Sequence, residues 1–406
     1  MRRPRILTLV ACCASPLWVS TADADDDVPA PELIATVTIP GDALDLSGLS
    51  GTDARGTPDS LLGSFGSGID YDPDSGDVIA VCDRGPRDGD NTFACRFHRF
   101  HLSVQARTRT ASLTLVSTHL LTSIGGGQFV GTAKAQSPAF RAIVGDQRVR
   151  IPARLDPESI RLVPGNDTAW VSDEYAPSLD LFTTAGRHVR RLTLPERFAP
   201  TSGMRPPTRG RQDNRGFEGL ALSKDASHAY LMTQSPLVQD GAVNQDGTRV
   251  GINMRLLAVS TNPQTGPSRE HLYLLDRPNH CVNELLLEDD THLLVLERDS
   301  KGGASAAFRS VYRVDLTDAT DITSIERLPS LGMPAGVTPI RKELLVNLLD
   351  PRFGLAGDAM PEKVEGLAWG PTLEDGRRTL LISTDNDLVQ SSPTSIWVIA
   401  VAPNHN

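Results

Sequence analysis

The sequence has 406 residues, of which 39% are apolar, 22% charged and only 5% aromatic, with 40 Lys and Arg against 50 Asp and Glu. That is apolar material for one large core or two ordinary ones, which excludes a disordered chain, and no heptad pattern or spanning apolar run beyond the N-terminus supports a coiled coil or a polytopic membrane protein. The formal net charge of −10 sets the surface against phosphate backbones and excludes nucleic acid as a partner.

The chain opens with Arg2, Arg3 and Arg5, an apolar run from Ile6 to Val19, and the small-x-small sequence Ala22-Asp23-Ala24. This is the pattern of a secretory signal peptide over residues 1–24, and it predicts a periplasmic or secreted protein. The run Leu9-Val10-Ala11-Cys12 leaves lipid attachment at Cys12 as an alternative. Residues 25–406 are expected to form a single domain, a monomer without a transmembrane segment. Its cysteines are Cys82, Cys95 and Cys281. In an oxidising compartment Cys82 and Cys95 are expected to form a local disulfide, with Cys281 buried and inert. No Cys-x-x-Cys or zinc-ligand spacing occurs.

Beyond the leader one pattern recurs five times: a short apolar strand, a turn rich in Asp, Gly or Asn, a second apolar strand, and a polar or acidic cluster at its end. The copies are GIDYDPDSGDVIAVCDRG from Gly68, ESIRLVPGNDTAWVSDEY from Glu158, EGLALSKDASHAYLMTQS from Glu218, NELLLEDDTHLLVLERDS from Asn283, and EGLAWGPTLEDGRRTLLISTDND from Glu365. Two further strand-like runs follow most copies. Short strands without a long amphipathic helical window indicate an all-β protein, and four strands per repeat indicate a β-propeller of about five or six four-stranded blades. A sixth blade has room in residues 104–150 or 322–349. LIATVTIP near the start is expected to pair with SIWVIAV near the end, so that N- and C-terminal strands close the ring. The Pro- and Gly-rich stretches Thr201 to Gly216 and Pro351 to Pro361 read as long loops.

In an antiparallel hairpin the start of the first strand lies beside the end of the second. Each repeat therefore brings its polar ends together: Glu158 with Asp173 and Glu174, Glu365 with Asp385, Asn386 and Asp387, Asn283 with Glu297, Arg298 and Asp299, and Gly68 with Asp83 and Arg84. If the first strands are innermost, these residues ring one mouth of the channel. Such a cluster needs cations, shared protons or arginines to offset its repulsion. Ca²⁺ is the cation its hard oxygen donors suit, with Asp83, Glu174, Glu297, Asp299, Asp385, Asn386 and Asp387 as candidate ligands. Glu158, Glu218, Glu365 and Asp173 are the candidate catalytic carboxylates, and Arg84, Arg215 and Arg298 the candidate holders of a small anionic substrate. Strand-end capping is the structural alternative for any of them. His98 and His101, three apart on a strand, fall on opposite faces and read as structural, and Gly125-Gly126-Gly127 reads as a turn. There is no Gly-x-Ser-x-Gly elbow, Walker loop, His-Glu-x-x-His or dinucleotide fingerprint.

DPESIRL, WVSDEYAPSLDLF, NRGFEGLAL, LLVLERD, and VEGLAWG with LLISTDND occur in this order from about Ser67 to Val401. They resemble the motifs of the esterase-like activity of phytase family. The resemblance implies an exported, repeated all-β domain whose recurring acids carry a phosphoesterase-type activity. By motif match those acids are Asp83, Glu158, Asp173, Glu174, Glu218, Glu297, Asp299, Glu365, Asp385 and Asp387. Two departures stand out: Ser159 where Gly commonly follows the Glu, and Gln234 with Ser235 where the other copies carry an acid. The expected function is metal-dependent hydrolysis of phosphoesters, with a lactone or carboxylic-ester hydrolase or a non-enzymatic propeller binding module as alternatives.

Overall fold

The computed structural model describes residues 29–133, 139–201, 207–245, 249–262 and 268–402; the leader and the candidate lipid site at Cys12 lie outside them. After β1 (Glu32–Ile39), the first blade contains β2 (Gly68–Asp72), β3 (Asp77–Val81), β4 (Arg96–Gln105) and β5 (Thr110–Leu120). A hairpin of β6 (Ala139–Val144) and β7 (Gln147–Pro152) follows. The second blade contains β8 (Pro157–Leu162), β9 (Thr168–Asp173), β10 (Ser178–Thr183) and β11 (His188–Arg191), and β6 joins its outer edge in parallel to β11. The third blade contains β12 (Phe217–Leu222) and β13 (His228–Thr233). After an inserted ribbon of β14 (Ala242–Val243) and β15 (Arg249–Val250) it is completed by β16 (Asn253–Ser260) and β17 (Arg269–Leu274). The fourth blade is β18 (Cys281–Leu287), β19 (His292–Arg298), β20 (Arg309–Asp315) and β21 (Arg341–Asn347). The fifth is β22 (Lys363–Thr372), β23 (Arg378–Asp385) and β24 (Thr394–Val401), with β1 as its outermost strand.

The protein is therefore a five-bladed β-propeller. The described residues of 104–150 and 322–349 form no sixth blade: they supply the end of β4, β5, the β6–β7 hairpin and β21. The first strands of the repeats are innermost, and β2, β8, β12, β18 and β22 pack in a closed ring around the axis. Two-sided burial explains their apolar composition: every residue of β12 is buried, as are Ile160, Leu285 and Leu367. The apolar clusters lie between neighbouring blades. One joins Ile69, Val78 and Ala80 of the first blade to Leu381, Ile396 and Val398 of the fifth.

Closure runs through β1 and β24, antiparallel from Glu32 opposite Ala400 to Ile39 opposite Thr394. The N-terminal segment thus completes a sheet whose other three strands are the last of the chain, and neither end is left with an unpaired inner edge. Removing residues through Ile39 is expected to lower the melting temperature and cause aggregation from the uncovered β24 edge; a truncated chain melting at the full-length temperature would contradict this.

Cys82 and Cys95 do not form the expected disulfide; both thiols are free, as is that of Cys281. They flank adjacent antiparallel strands but face different inter-blade cores, Cys82 among Ile69, Phe65 and Phe100 and Cys95 among Phe97, Phe129 and Val171. Opposed side-chain directions forbid the bond however close the backbones run. Burial pushes both thiols well up in pKa. All three cysteines are expected to alkylate in denatured, unreduced protein and to resist alkylation in the native state. A denatured chain with only one reactive thiol among the three would restore the disulfide.

Candidate functional site

The inner strands all begin at one mouth of the channel. In four of them a β-bulge interrupts pairing at the key polar residue: between Pro157 and Ile160, Phe217 and Gly219, Val282 and Glu284, and Val364 and Leu367. A bulge adds one residue and re-aims its side chain. Here the added positions include Glu158, Glu218, Asn283 and Glu365, all buried.

One group of carboxylates forms around the second blade. Oxygens of Asp156, Glu158 and Glu174 lie within 4.8 Å of one another. Arg84 spans this group from the first blade, its Nη1 donating to Asp156 Oδ2 at 2.7 Å and Glu174 Oε2 at 3.2 Å and to Asn214, while Nη2 reaches Asp88. Glu218 adjoins them, receiving a bond from Asn283 Nδ2 at 3.1 Å and one from Gln234 on its Oε1. Its Oε2 is buried and has no hydrogen-bond partner among the described residues. Glu365 pairs with Arg298 at 3.1 Å.

A second group, Asp83, Asp385 and Asp387, lies between the first and fifth blades, its oxygens also within 4.8 Å of one another. Lys363 reaches all three: 3.6 Å to Asp83, 3.4 Å to Asp385, and an ion pair with Asp387. Loop backbone around the mouth is held in unusual conformations. Ser64, Arg87, Asp88, Asn214, Asp387 and Leu388 all have positive φ, six of the eight non-glycine residues that do so among those described. Such conformations persist only where surrounding contacts over-determine them. Close approach also demands glycine at two points. A Cβ at Gly131 would lie 1.9 Å from the Arg84 carbonyl oxygen, and one at Gly216 2.0 Å from that of Glu174.

A sequence model of the family described as "Phytase-like: Esterase-like activity of phytase" matches residues 60–388. The chain belongs to this phytase-like family. An "Uncharacterized secreted protein" of Arthroderma benhamiae (strain ATCC MYA-4681 / CBS 112371) is 30% identical to the phytase-like chain over 213 residues, 42% of this chain and 41% of that protein. The chain thus spans less than half the length of this relative. Among solved structures, the β-propeller domain of Myceliophteria thermophila Cps50 (Swd1) is 10% identical, covering 83% of this chain and 97% of that one with a TM-score of 0.36. An exo-β-1,3-galactanase of Phanerochaete chrysosporium is 10% identical, covering 89% and 63% with a TM-score of 0.42. Neither bears on the chemistry of this chain. Among the described residues no helix is long and apolar enough to cross a membrane.

Several residues expected at the phytase-like mouth have other partners. Glu297 does not join the carboxylates; it receives bonds from Tyr273 at 2.7 Å and Lys342 at 3.0 Å and meets His280 Nδ1 at 2.9 Å. Strand alternation is the reason: Arg298, next in β19, faces Glu365, so Glu297 faces the opposite side. Asp299 is tied to Arg309 and accepts from Ala307 N at 2.8 Å. Asp173 closes a turn, accepting from the backbone of Asp156, Tyr175 and Ala176 and from Ser178 Oγ. Asn386 accepts from Ser64 N at 2.8 Å and donates to the Ser392 carbonyl. Arg215 donates to Gln234 and Ser235 of its own blade. These five hold loops and strand ends in place.

The sequence reading missed Asp156 and Lys363. Both stand two residues before the mouth glutamate of their repeat, Glu158 and Glu365, and aligning the copies one strand-start earlier would have found them. It also missed the channel filling. Arg161 pairs with Glu284 at 3.1 Å and donates to the carbonyls of Ile69, Ile160 and Leu285. Glu284 in turn accepts from Ser159 Oγ, Leu220 N and Leu285 N. Beyond this plug, at the far ends of the inner strands, lies a cavity of ≈ 870 Å³ bordered by Asp70, Arg161, Leu222, Leu287 and Trp369. This cavity is thus at the opposite mouth from the carboxylates.

Burial, then mutual repulsion, raises the pKa of several mouth carboxyls, whereas Asp385, despite its burial, is lowered by Lys363, Ser64 and the Asp387 amide. Glu218 is pushed up to about 8 by burial and Glu365, Asp83 to about 7 by burial and Asp385, and Glu365 to about 7 by burial and Asp385 against the favourable Lys363 and Arg298. Glu158 and Glu174 are raised well above the usual range, by burial and then by Glu218. A raised carboxyl keeps its proton in the folded state after the unfolded chain has lost it, so its contribution is full below the unfolded pKa and lost as pH climbs through the folded one. With cations removed by a chelator, the melting temperature is therefore expected to fall between about pH 5 and pH 8.5. A flat or rising profile over that interval would show the cluster to be neutralised internally.

Proposed function

We propose that this chain is an exported, divalent-cation-dependent hydrolase of phosphoesters whose chemistry resides at the carboxylate mouth. The observation that carries the reading is the charge imbalance. Asp156, Glu158, Glu174 and Glu218 are gathered and buried with Arg84 ion-paired to Asp156 and Glu174, and one Glu218 oxygen has no partner among the described residues. An all-oxygen carboxylate set fits a hard cation, and Ca²⁺ takes such donors in flexible geometry. Asp156, Glu158 and Glu174 would hold the ion; when bound, it neutralises phosphoryl oxygen charge. Family membership and the secreted relative support the phosphoester and export parts of the reading.

The chain's own groups then divide the work. Glu218, one oxygen of which has no partner among the described residues, accepts a proton from water in its ionised form, a form that gains population as pH rises toward about 8. Arg298, held by Glu365 and the Asp299 carbonyl, keeps a fixed positive charge at the mouth. Asn283 and Gln234 fix the Glu218 carboxylate through its other oxygen.

A second reading is favoured by the closure of this mouth: Glu158, Glu218 and Glu365 are 7%, 3% and 4% exposed. A cation there would clamp the blades of a binding module. The two readings part on one pair of measurements. Under the hydrolase reading, wild type binds Ca²⁺ and cleaves phosphate esters in preference to lactones, and Glu218→Gln loses ~100-fold or more in kcat while still binding Ca²⁺. Under the clamp reading, Glu158→Gln and Glu218→Gln lower the Ca²⁺-dependent gain in melting temperature and no ester is turned over. Full phosphoesterase activity in excess chelator would remove the cation from the mechanism.

A further inference from the structure

The mouth holds two carboxylate triads, and one of them contains a cation of the chain itself. In the second blade the residue two places before the mouth glutamate is Asp156, and it supplies an oxygen to its triad. In the fifth blade the same repeat position is Lys363, and it supplies an ammonium. We infer that Lys363 is the resident cation of the Asp83–Asp385–Asp387 triad and that its ammonium excludes a divalent ion from that half of the mouth.

The frame around this ammonium is set by other bonds. Ser64 Oγ donates to Asp385 Oδ1 at 2.7 Å and Asp83 Oδ1 at 3.0 Å. The Asp387 and Gly85 amides donate to the same two oxygens at 2.8 and 2.9 Å. With each Oδ1 engaged, Oδ2 of Asp83 and Oδ2 of Asp385 are the atoms that face Lys363 Nζ, and Asp387 Oδ1 completes the set. Asp387 and Leu388 sit at φ of 52° and 53° and Ser64 at 59°, so the loops that aim these carboxylates hold a conformation their side chains do not favour. With all three carboxylates ionised, one ammonium leaves two uncompensated charges; without the ammonium there would be three. Removing the lysine should therefore leave a converging, strongly anionic oxygen set suited to a hard divalent ion. Arg84 plays no such part at the other triad: it spans Asp156 and Glu174 while also engaging Asn214 and Asp88, as a strut between blades.

The inference rests on the proposed cation site only for the count expected in the wild type, and the test separates the two. Ca²⁺ stoichiometry is measured by calorimetry and by native mass spectrometry on folded wild type, Lys363→Gln, Lys363→Arg, Asp387→Asn and the double variant Lys363→Gln/Asp387→Asn. The expected result is one ion for wild type, Lys363→Arg and Asp387→Asn, two for Lys363→Gln, and one for the double variant. Zero in wild type and one in Lys363→Gln would sink the proposed catalytic ion while upholding the lysine. An unchanged count in folded Lys363→Gln would overturn the inference. So would loss of an ion in Asp387→Asn with Lys363 intact, a readout that does not require the lysine variants to fold.

Discussion

Repulsion among buried carboxylates is the constraint around which the rest of this propeller is arranged. Asp83, Asp156, Glu158, Glu174, Glu218, Glu365 and Asp385 are all buried at one mouth, with the half-exposed Asp387 beside them, and Arg84, Lys363 and Arg298 are the cations paired to them. A fold without purpose for such a cluster would shed it, since replacing buried charges by apolar groups is commonly neutral or stabilising. Much of the local architecture makes sense as the means of holding these groups together: bulges that turn glutamates inward, positive-φ residues in the loops, and glycines where one blade's backbone touches the next.

The five-fold ring provides the geometry. Each inner strand begins at the same mouth, so one residue per repeat suffices to place a ring of side chains around the axis, and the second strand's end adds another. The copies have diverged around that ring. Blade two contributes three acids, blade five three acids (Glu365, Asp385 and Asp387) and Lys363, blade four Asn283 and Arg298, blade three Glu218 alone with Gln234 in place of an acid, and blade one Asp83 and Arg84. The carboxylates concentrate on the side of blades five, one and two, and neutral donors and Arg298 occupy the other. This asymmetry gives a nearly symmetric scaffold a directed electrostatic field across its mouth.

How far the sequence disclosed this depended on the length scale of each signal. The repeat of strand, turn, strand and polar cluster made the propeller, its innermost strands and the closing pair of β1 and β24 legible, because hydrophobic period and repetition are averaged over many residues. Single side-chain directions were not averaged and suffered accordingly. Glu297 and Arg298 are adjacent in a cluster that read as one acidic group, but a strand sends neighbours to opposite faces. Cys82 and Cys95 are close in sequence and in backbone, but their side chains enter different cores. A bulge cannot be read from composition, and it was the bulges that decided which residue of Pro157-Glu158-Ser159 faces the mouth. Lys363 escaped notice because a lysine at a strand start is ordinary surface chemistry until three carboxylates surround it.

The Arg161–Glu284 pair adds a final consequence. It sits on the propeller axis with Ser159, bonded to the backbone of three inner strands, β2, β8 and β18, and accepting from a fourth, β12. Breaking it by removing one partner would leave a buried charge unpaired, the costly case for an internal ion pair. The pair therefore fixes the radius of the ring at mid-depth and separates the acidic mouth from the ≈ 870 Å³ cavity at the other end. Two chemically distinct compartments result from one channel. On the mouth side of the pair, burial and then the neighbouring carboxylates, Glu218 for Glu158 and Glu365 for Glu218, keep the pKa values of these two acids high.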